Sequence, residues 1–210
     1  MHYIVLDFEW NQPLSEKEML MEPFPFDSEI IEIGAIKLDE SFQTVDEFKT
    51  FIRPQFYPHL SNAVVQLTKI RPQELEKAPS FPEAFDAFID WCGDDCALCS
   101  WGPDDIPVLL DNMLLHGIPT EPFPYCYDLQ RIFARELLRE NRQCSLSDAV
   151  KMLKLPADRA HDALNDTRNT VRVCERMDLA GCIDEYRTAF VGYGADRKSG
   201  LISGLIYPSF

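Results

Sequence analysis

The chain has 210 residues, of which 46% are hydrophobic, and it carries 35 acidic against 20 basic side chains. The apolar content is enough for the core of one globular domain and excludes a chain that is disordered throughout. The net charge of −15 disfavours tight, nonspecific binding of duplex nucleic acid, because phosphate affinity usually comes from lysine and arginine. It does not exclude a site in which bound divalent cations supply the positive charge.

The sequence predicts neither a membrane span nor an export signal. It contains no apolar run near the roughly 18 residues that cross a bilayer. Its first apolar segment, 3–6, has no lysine or arginine before it and is followed at once by Asp7 and Glu9, unlike a signal peptide. We therefore expect a soluble protein of the cytoplasm.

Seven cysteines are scattered along the chain, an odd number that does not fit a secreted disulfide framework. Cys92, Cys96 and Cys99 form a local cluster, and a zinc site is one interpretation of it. Their spacing is not that of paired CxxC motifs, and no fourth ligand is evident near them in the sequence. Cysteine is also a common core residue, so we favour buried, reduced thiols.

The hydrophobic pattern predicts an α/β fold, with three strands followed by alternating helices and strands. Strands are predicted at 2–8, 29–38, 42–52, 96–101 and 123–127. Helices are predicted at 81–91, 104–116, 128–138, 145–155 and 162–177, with short helices within 53–80. These elements imply a mixed five-stranded sheet flanked by helices. We assign residues 1–180 to this domain and residues 181–210, which lack clear periodicity, to a C-terminal extension.

Two carboxylates lie on the first predicted strand. Asp7 and Glu9 are two residues apart, so their side chains point to the same face. An acidic pair on a strand is most often a solvated face, but the apolar neighbours at 4–6 indicate burial here. Burying two carboxylates is costly unless something compensates their charge. Divalent cations such as Mg²⁺, which prefer carboxylate oxygens, are the obvious compensation.

A second acidic pair, Asp104 and Asp105, follows the fourth predicted strand and opens a helix. Ligands of open α/β sheets gather at the carboxyl ends of strands, so one of these side chains can close a metal site with Asp7. Capping of the helix is the simpler explanation for an isolated Asp in this position. Only one of the two aspartates needs to be a ligand.

The third group is His161 and Asp166, near the start of the last predicted helix. On a continuous helix the two side chains would point roughly 140° apart. They converge if His161 precedes the helix and Asp166 lies in its first or second turn, which the preceding segment 156–159 permits. A histidine there is suited to accept a proton from water near neutral pH. An isolated histidine in a polar loop is more often simply exposed to solvent.

In this order, the three groups resemble the DEDDh branch of the DnaQ-like exonucleases, which have an RNase H-like fold. The intervening sequence is also similar to motifs of that family: RP at 53–54, HLS at 59–61, LTKI at 67–70 and APSF at 78–81. The resemblance covers residues 2–177. It is strongest for the Eri-1-like and KapD-like exonucleases, which include histone-mRNA 3′ exonucleases.

The resemblance implies a metal-dependent 3′–5′ exonuclease acting on 3′ ends of single-stranded RNA or DNA. The implied ligands of two Mg²⁺ or Mn²⁺ ions are Asp7, Glu9, Asp105 and Asp166. Asp7 would be shared by both ions, and His161 would be the general base. Asp105 fits better than Asp104 because the family's Asp-x-x-x-Leu spacing is matched by Asp105 and Leu109. Two such ions would activate water and stabilise the leaving 3′ oxygen.

The candidate substrate contacts are Phe8, Trp10, Leu67 and Thr68. Trp10 follows the DFE motif, where smaller residues are common in the family. Its ring could stack on a base, which contributes about 1–3 kcal/mol, and burial in the core is the equal alternative. Strand alternation favours a core position for the Phe8 ring. Lys69 stands where the family often has the glycine of LTGI, so contacts to the terminal nucleotide are expected to differ.

Two rows of arginines have the i,i+4 spacing of a helix face. The rows are Arg131, Arg135, Arg139 and Arg168, Arg172, Arg176. Such a row can follow a phosphate backbone. The acidic residues beside them make a solvated helix face the more common explanation.

RNA is favoured as the substrate because of the Eri-1-like resemblance, since no residue is seen to read the 2′-hydroxyl. A DNA-trimming exonuclease is one alternative. A catalytically silent nucleic-acid-binding module of the same fold is another, and the acidic charge is its best support. All five catalytic residue types are present in order, which favours the enzyme.

Overall fold

A six-stranded mixed sheet forms the centre of the structure, a computed structural model that describes residues 1–120 and 125–189. Its strands are β1 (His2–Asn11), β2 (Glu29–Leu38), β3 (Thr44–Phe51), β4 (Cys96–Ser100), β5 (Tyr125–Asp128) and β6 (Thr188–Ala189). They lie in the order β3-β2-β1-β4-β5-β6. Strand β4 is parallel to β1 and β5, and the other neighbours are antiparallel. The predicted mixed five-stranded sheet is confirmed, and β6 extends it by two residues.

The helices that the sequence predicts are also present. In the described part of the chain the α-helices are α1 (Asn62–Thr68), α2 (Pro72–Leu75), α3 (Phe81–Cys92), α4 (Asp105–Leu115), α5 (Leu129–Ile132), α6 (Leu146–Met152), α7 (Ala163–Cys174) and α8 (Leu179–Cys182). Helix α5 continues as a π-helical segment, Phe133–Leu138, and 3₁₀ turns lie at Glu16–Glu18 and Ile183–Tyr186. None of these helices is long and apolar enough to cross a bilayer.

Side-chain caps explain where several helices begin. Ser80 precedes α3, and the Glu83 carboxylate accepts a hydrogen bond of 2.8 Å from the Ser80 backbone N–H. The Asp128 carboxylate accepts from the backbone N–H of Arg131 at the start of α5. Such caps satisfy amide groups that have no partner inside the helix. They fix the helix starts that the local sequence predicts.

The core lies on both faces of the sheet because side chains alternate along each strand. Ile4 and Leu6 of β1 pack against α3 and α4, whereas Val5 packs on the opposite face with α5, α6 and α7. Cys92 and Cys96 belong to the first of these cores and Cys99 to the second. The three sulfurs therefore do not converge, and all three residues are buried free thiols.

Residues after 180 continue the fold in the region of β5. Ile183 is buried in the second core, and Thr188 pairs with Cys126 at the edge of the sheet. The boundary at residue 180 stays a prediction. Residues 123–124 of the fifth predicted strand and 190–210 of the predicted extension lie outside the described residues.

Candidate active site

Strand β1 carries Asp7 and Glu9 beyond the point where its neighbour β4 ends. The pairing of β1 with β4 stops at Leu6, so the following residues have an open edge on that side. There, the backbone N–H of Phe8 donates to Oδ1 of Asp105 over 3.1 Å. Asp105 is the first residue of α4 and only 5% exposed, whereas Asp104 is exposed. Asp105 is thus the member of the acidic pair that faces β1.

Helix α7 brings the third group to the same place. His161 lies before the helix, Asp162 caps it, and Asp166 lies in its first turn. The His161 backbone N–H donates to Oδ2 of Asp166 over 2.7 Å. Ligand atoms of Glu9, His161 and Asp166 all lie within 4.8 Å of one another. The loop-then-helix arrangement that the sequence required for convergence is present.

His161 has a backbone conformation that an L residue rarely adopts. Its φ is 61°, in the left-handed region, where a side chain costs about 1–2 kcal/mol relative to ordinary helical backbone. The hydrogen bond from His161 to Asp166 spans this turn. Strained backbone of this kind often occurs at functional sites, and here it directs the imidazole toward the carboxylates.

Gly34 of β2 allows α7 to approach the sheet closely. A Cβ atom at this position would lie 2.2 Å from the carbonyl carbon of Ala163 and 2.2 Å from the backbone nitrogen of Leu164. The Gly34 carbonyl also accepts a hydrogen bond of 3.1 Å from the Thr167 hydroxyl. A glycine inside a strand pattern often marks such an approach of another backbone. Because Gly34 has no side chain, the first turn of α7, which holds Asp166, can lie directly against β2.

Replacing Gly34 with alanine is expected to destabilise the fold by about 3 kcal/mol, because overpacking a tight contact costs this order of energy. The displaced first turn of α7 would also misplace Asp166, and a shift of about 1 Å at a reacting group can cost about 100-fold in rate. Thermal unfolding and kcat of the variant test both effects. Unchanged values for both quantities would show that the contact is not needed.

Burial and mutual repulsion raise the pKa values of the carboxylates. Burial is the largest cause for each, and it raises the pKa of Glu9 to about 8 and that of Asp105 to about 7. The pKa of Asp7 is raised well above its ordinary value, by burial and then by Asp105, Glu9 and Asp166. The pKa of Asp166 is also raised, mainly by burial. Four clustered acids with raised pKa values indicate that, among the described residues, no cation compensates their charge.

Glu32 and Lys49 belong to the surroundings of the site, although the sequence reasoning missed them. Glu32 pairs across the strands with Glu9 and is 1% exposed. Its carboxylate accepts from the Ala163 backbone N–H over 3.1 Å and pairs with the Lys49 ammonium over 2.8 Å. Lys49 also contacts the Asp162 carboxylate over 2.9 Å. An acidic residue inside the apolar run IIEIGAI was the available signal for Glu32.

The four acids of the site are better suited to bind divalent cations than to pair with a lysine or arginine of the protein. In the described part of the chain, the salt bridges near the site join Lys49 and Arg159 to Glu32 and Asp162. None joins a cation to the four acids that line the site, which are Asp7, Glu9, Asp105 and Asp166. Carboxylates that are buried together need a compensating charge. An oxygen-rich set of this kind is the ligand type that Mg²⁺ and Mn²⁺ prefer.

The predicted substrate contacts differ in how accessible they are. Leu67 is 51% exposed, and Trp10 is half-buried and packs against the first core. Thr68 is buried, and its carbonyl accepts a hydrogen bond of 3.0 Å from Arg159. The Phe8 ring is 3% exposed in the core, as strand alternation favours, so only its backbone faces Asp105.

Comparison with known proteins places the chain in a family. The sheet order and the flanking helices define the fold class, which is RNase H-like. The nuclease domain of 3′hExo, a DEDDh family member solved bound to rAMP, superposes with a TM-score of 0.73 at 24% identity, covering 86% of this chain and 93% of that chain. The exonuclease family model RNase T matches residues 4–174. The chain therefore belongs to the RNase T exonuclease family.

Two curated relatives agree with this assignment. Human 3′–5′ exoribonuclease 1 is 25% identical over 171 residues, which are 76% of this chain and 49% of the relative. The probable 3′–5′ exonuclease KapD of Bacillus subtilis is 25% identical over 123 residues, which are 58% of this chain and 56% of the relative. The chain spans about half the length of these relatives. The predicted resemblance to the Eri-1-like and KapD-like branch is confirmed.

Proposed function

We propose that the protein removes nucleotides from the 3′ end of single-stranded RNA by hydrolysis of the terminal phosphodiester. The observation that carries this proposal is the convergence of acids from β1, α4 and α7 beside one histidine. Carboxylates repel a phosphate, so this site can bind one only when cations are bound between them. The family assignment supplies the reaction class, and the site supplies the groups that the reaction needs.

Two divalent cations, Mg²⁺ or Mn²⁺, are the cofactors of the proposed reaction. Their ligands would be Asp7, Glu9, Asp105 and Asp166. Asp7 is the carboxylate whose pKa the other three all raise, which supports a position shared by both ions. When bound, the ions would lower the pKa of water and stabilise negative charge on the scissile phosphate and the leaving 3′ oxygen.

His161 is the proposed general base. Its backbone N–H is held by Asp166, and a ring nitrogen lies near the carboxylate oxygens of Glu9 and Asp166. The side chain is exposed on its other side, so water can reach it. His161 would take the proton of the attacking water and then release it to solvent. The oxygen of that water would form a bond to phosphorus as the bond from phosphorus to the leaving 3′ oxygen breaks. The 3′ oxygen would take a proton from solvent, and no covalent bond to the protein would form.

The substrate end would lie between the acids, the half-buried Trp10 of β1 and the exposed Leu67 of α1. Trp10 and Leu67 offer apolar surface for the terminal base or sugar. Arg159 connects the loop of His161 to this region, because it donates to the Thr68 carbonyl and contacts the Asp162 carboxylate over 3.2 Å. Binding of the terminal nucleotide and placement of the general base, His161, would therefore be coupled.

RNA is the favoured substrate because the human relative is named as an exoribonuclease. The proposal is tested with 5′-labelled RNA and DNA strands of matched sequence, incubated with Mg²⁺. We expect both to shorten from the 3′ end, with RNA shortening faster. A faster rate on DNA would assign the site to DNA trimming. No shortening of either strand by folded protein would favour a binding module of the same fold.

Replacing His161 with asparagine is expected to lower kcat by about 10²–10⁴-fold, the usual contribution of a general base. KM should change little, because the metal-binding carboxylates remain. Steady-state kinetics on the RNA strand measure both constants. His59→Asn is the matched control, since His59 is an exposed histidine outside the carboxylate cluster. An equal effect of both substitutions would remove His161 from the mechanism.

A further inference from the structure

A cavity of about 360 Å³ lies beside the carboxylate site, at the carboxyl end of β5. Its wall contains three arginines, Arg131, Arg135 and Arg142, together with amide side chains. Two of these arginines belong to the first arginine row of the sequence. Arg139, the third member of that row, does not line the cavity and pairs with Glu136 at 76% exposure. The structure thus separates a concave basic site from an exposed arginine just beyond the end of the helical segment.

Two segments form the walls of the cavity and hold it open. One wall is α5 with its π-helical continuation, a type of segment that is frequent at functional sites. The other wall is the loop 141–143, whose end is anchored at the carbonyl of Cys144. That carbonyl accepts hydrogen bonds from Trp101 Nε1 and Gln130 Nε2, each of 3.0 Å. The loop is therefore fixed opposite the helix rather than collapsed onto it.

The cavity is suited to an anion. Besides the arginines, Asn141 and Gln143 offer amide donors. Asp128 is the acidic residue in the wall, and its carboxylate accepts backbone N–H groups, including that of Arg131 over 3.0 Å. The Glu140 carboxylate pairs with the guanidinium of Arg142 beside the loop. In a chain with a net charge of −15, this concentration of guanidinium groups in one cavity favours a phosphate.

The cavity also lies on the path that a substrate strand would follow. Strand β4 lies between β5 and β1, so β5 and β1 are about 10 Å apart. Pro103, in the turn that leads to Asp105, lines the cavity directly. Asp128 is close enough to Asp105 for its charge to raise the pKa of that acid. A strand that ends at the carboxylates thus has its preceding phosphates within reach of the cavity.

We propose that this cavity binds a backbone phosphate of the substrate on the 5′ side of the scissile bond. This proposal rests on the proposed function. A long strand would make the contact, whereas a dinucleotide would not. Arginine binds a phosphate through paired N–H donors, and such contacts position a strand without reading its sequence. The cavity thereby distinguishes a nucleic-acid strand from a short product.

The test compares two double variants that remove the same charge. Arg135→Gln with Arg142→Gln changes the cavity, and Arg139→Gln with Arg176→Gln is the control at exposed positions just beyond helix ends. Glutamine keeps much of the arginine stem, which limits loss of packing. On a long RNA strand we expect the cavity variant to lose about 10-fold in kcat/KM through KM, and the control less than about twofold. On a dinucleotide, both should resemble the wild type.

Salt dependence gives a second readout. Loss of one phosphate contact on a single strand should reduce the slope of log affinity against log salt by about 0.7. An equal loss in both double variants, or an equal loss on the dinucleotide, would overturn the proposal. So would a cavity variant that binds a mononucleotide more weakly but binds long RNA normally, because the cavity would then serve a free nucleotide.

The same variants separate failure of this inference from failure of the proposed function. If the wild type shortens no strand, hydrolysis is not its function, and equilibrium binding of long RNA still tests the cavity. A 10-fold weaker affinity in the cavity variant, with the control unchanged, would then support the phosphate site. Equal affinities of wild type and cavity variant would overturn it.

Discussion

Replacing Asp7 with asparagine is expected to lower kcat on single-stranded RNA by about 10³-fold or more. Even changes to groups that only support metal ligands cost about 10–100-fold, and Asp7 is the proposed ligand of both ions. Glu9, Asp105 and Asp166 lie close enough to Asp7 for their charges to raise its pKa. The amide keeps the size of the side chain but removes its charge, so the loss should come from chemistry rather than from folding.

Asp104 provides the matched control for this substitution. It is exposed and lies next to Asp105, the member of the pair that is buried against β1. Asp104→Asn should leave kcat within about twofold, as is usual for surface changes away from a site. Steady-state rates and thermal unfolding are measured for both variants. A folded Asp7→Asn protein with nearly normal kcat would contradict the assignment of Asp7.

The second large effect concerns stability without metal. Glu9 has an ordinary pKa of 4.5, and burial in the folded protein raises it to about 8. Between pH 4.5 and pH 8, Glu9 is protonated in the folded state and ionised in the unfolded state. The free energy of unfolding therefore falls as the pH rises from 4.5 to 8, by an amount on the order of 4 kcal/mol for Glu9 alone. In EDTA, the Tm is expected to fall across this range.

Mg²⁺ should reverse this loss, because an ion that binds only the folded state stabilises it by mass action. At pH 8 the Tm should rise on addition of Mg²⁺. Glu9→Gln should raise the Tm in EDTA, since it removes a buried charge, and should weaken the response to Mg²⁺. Glu18→Gln is the control, because Glu18 is exposed in a 3₁₀ turn. A Tm that is independent of both pH and Mg²⁺ would contradict a metal site made of buried acids.

The strand and helix positions were largely predictable because they depend on local patterns. Alternation along β1 places Asp7 and Glu9 on one face, and the Asp162 cap leaves His161 outside α7. Which of Asp104 and Asp105 faces β1 depends on tertiary structure. It follows from the end of β4, which leaves the Phe8 N–H open for the Asp105 carboxylate. The family spacing favoured the same residue.

Features that depend on contacts between distant segments were not predictable in the same way. The need for Gly34 appears only when α7 lies on β2. The pairing of Glu32 with Lys49 requires the register of β2 and β3 and the position of Asp162. Strand β6 has only two residues, too few for a periodic signal, and exists because β5 offers a free edge. The first arginine row could be divided only with the folded structure, in which Arg131 and Arg135 line the cavity and Arg139 does not.

Metal-dependent 3′–5′ hydrolysis is tested most directly by following a 5′-labelled single-stranded RNA in Mg²⁺ and in EDTA. We expect a ladder that shortens from the 3′ end in Mg²⁺ and is absent in EDTA. A second strand, labelled at its 3′ end, should release its label as a mononucleotide. Internal cleavage, shortening from the 5′ end, or equal rates in Mg²⁺ and EDTA would contradict a metal-dependent 3′–5′ exonuclease.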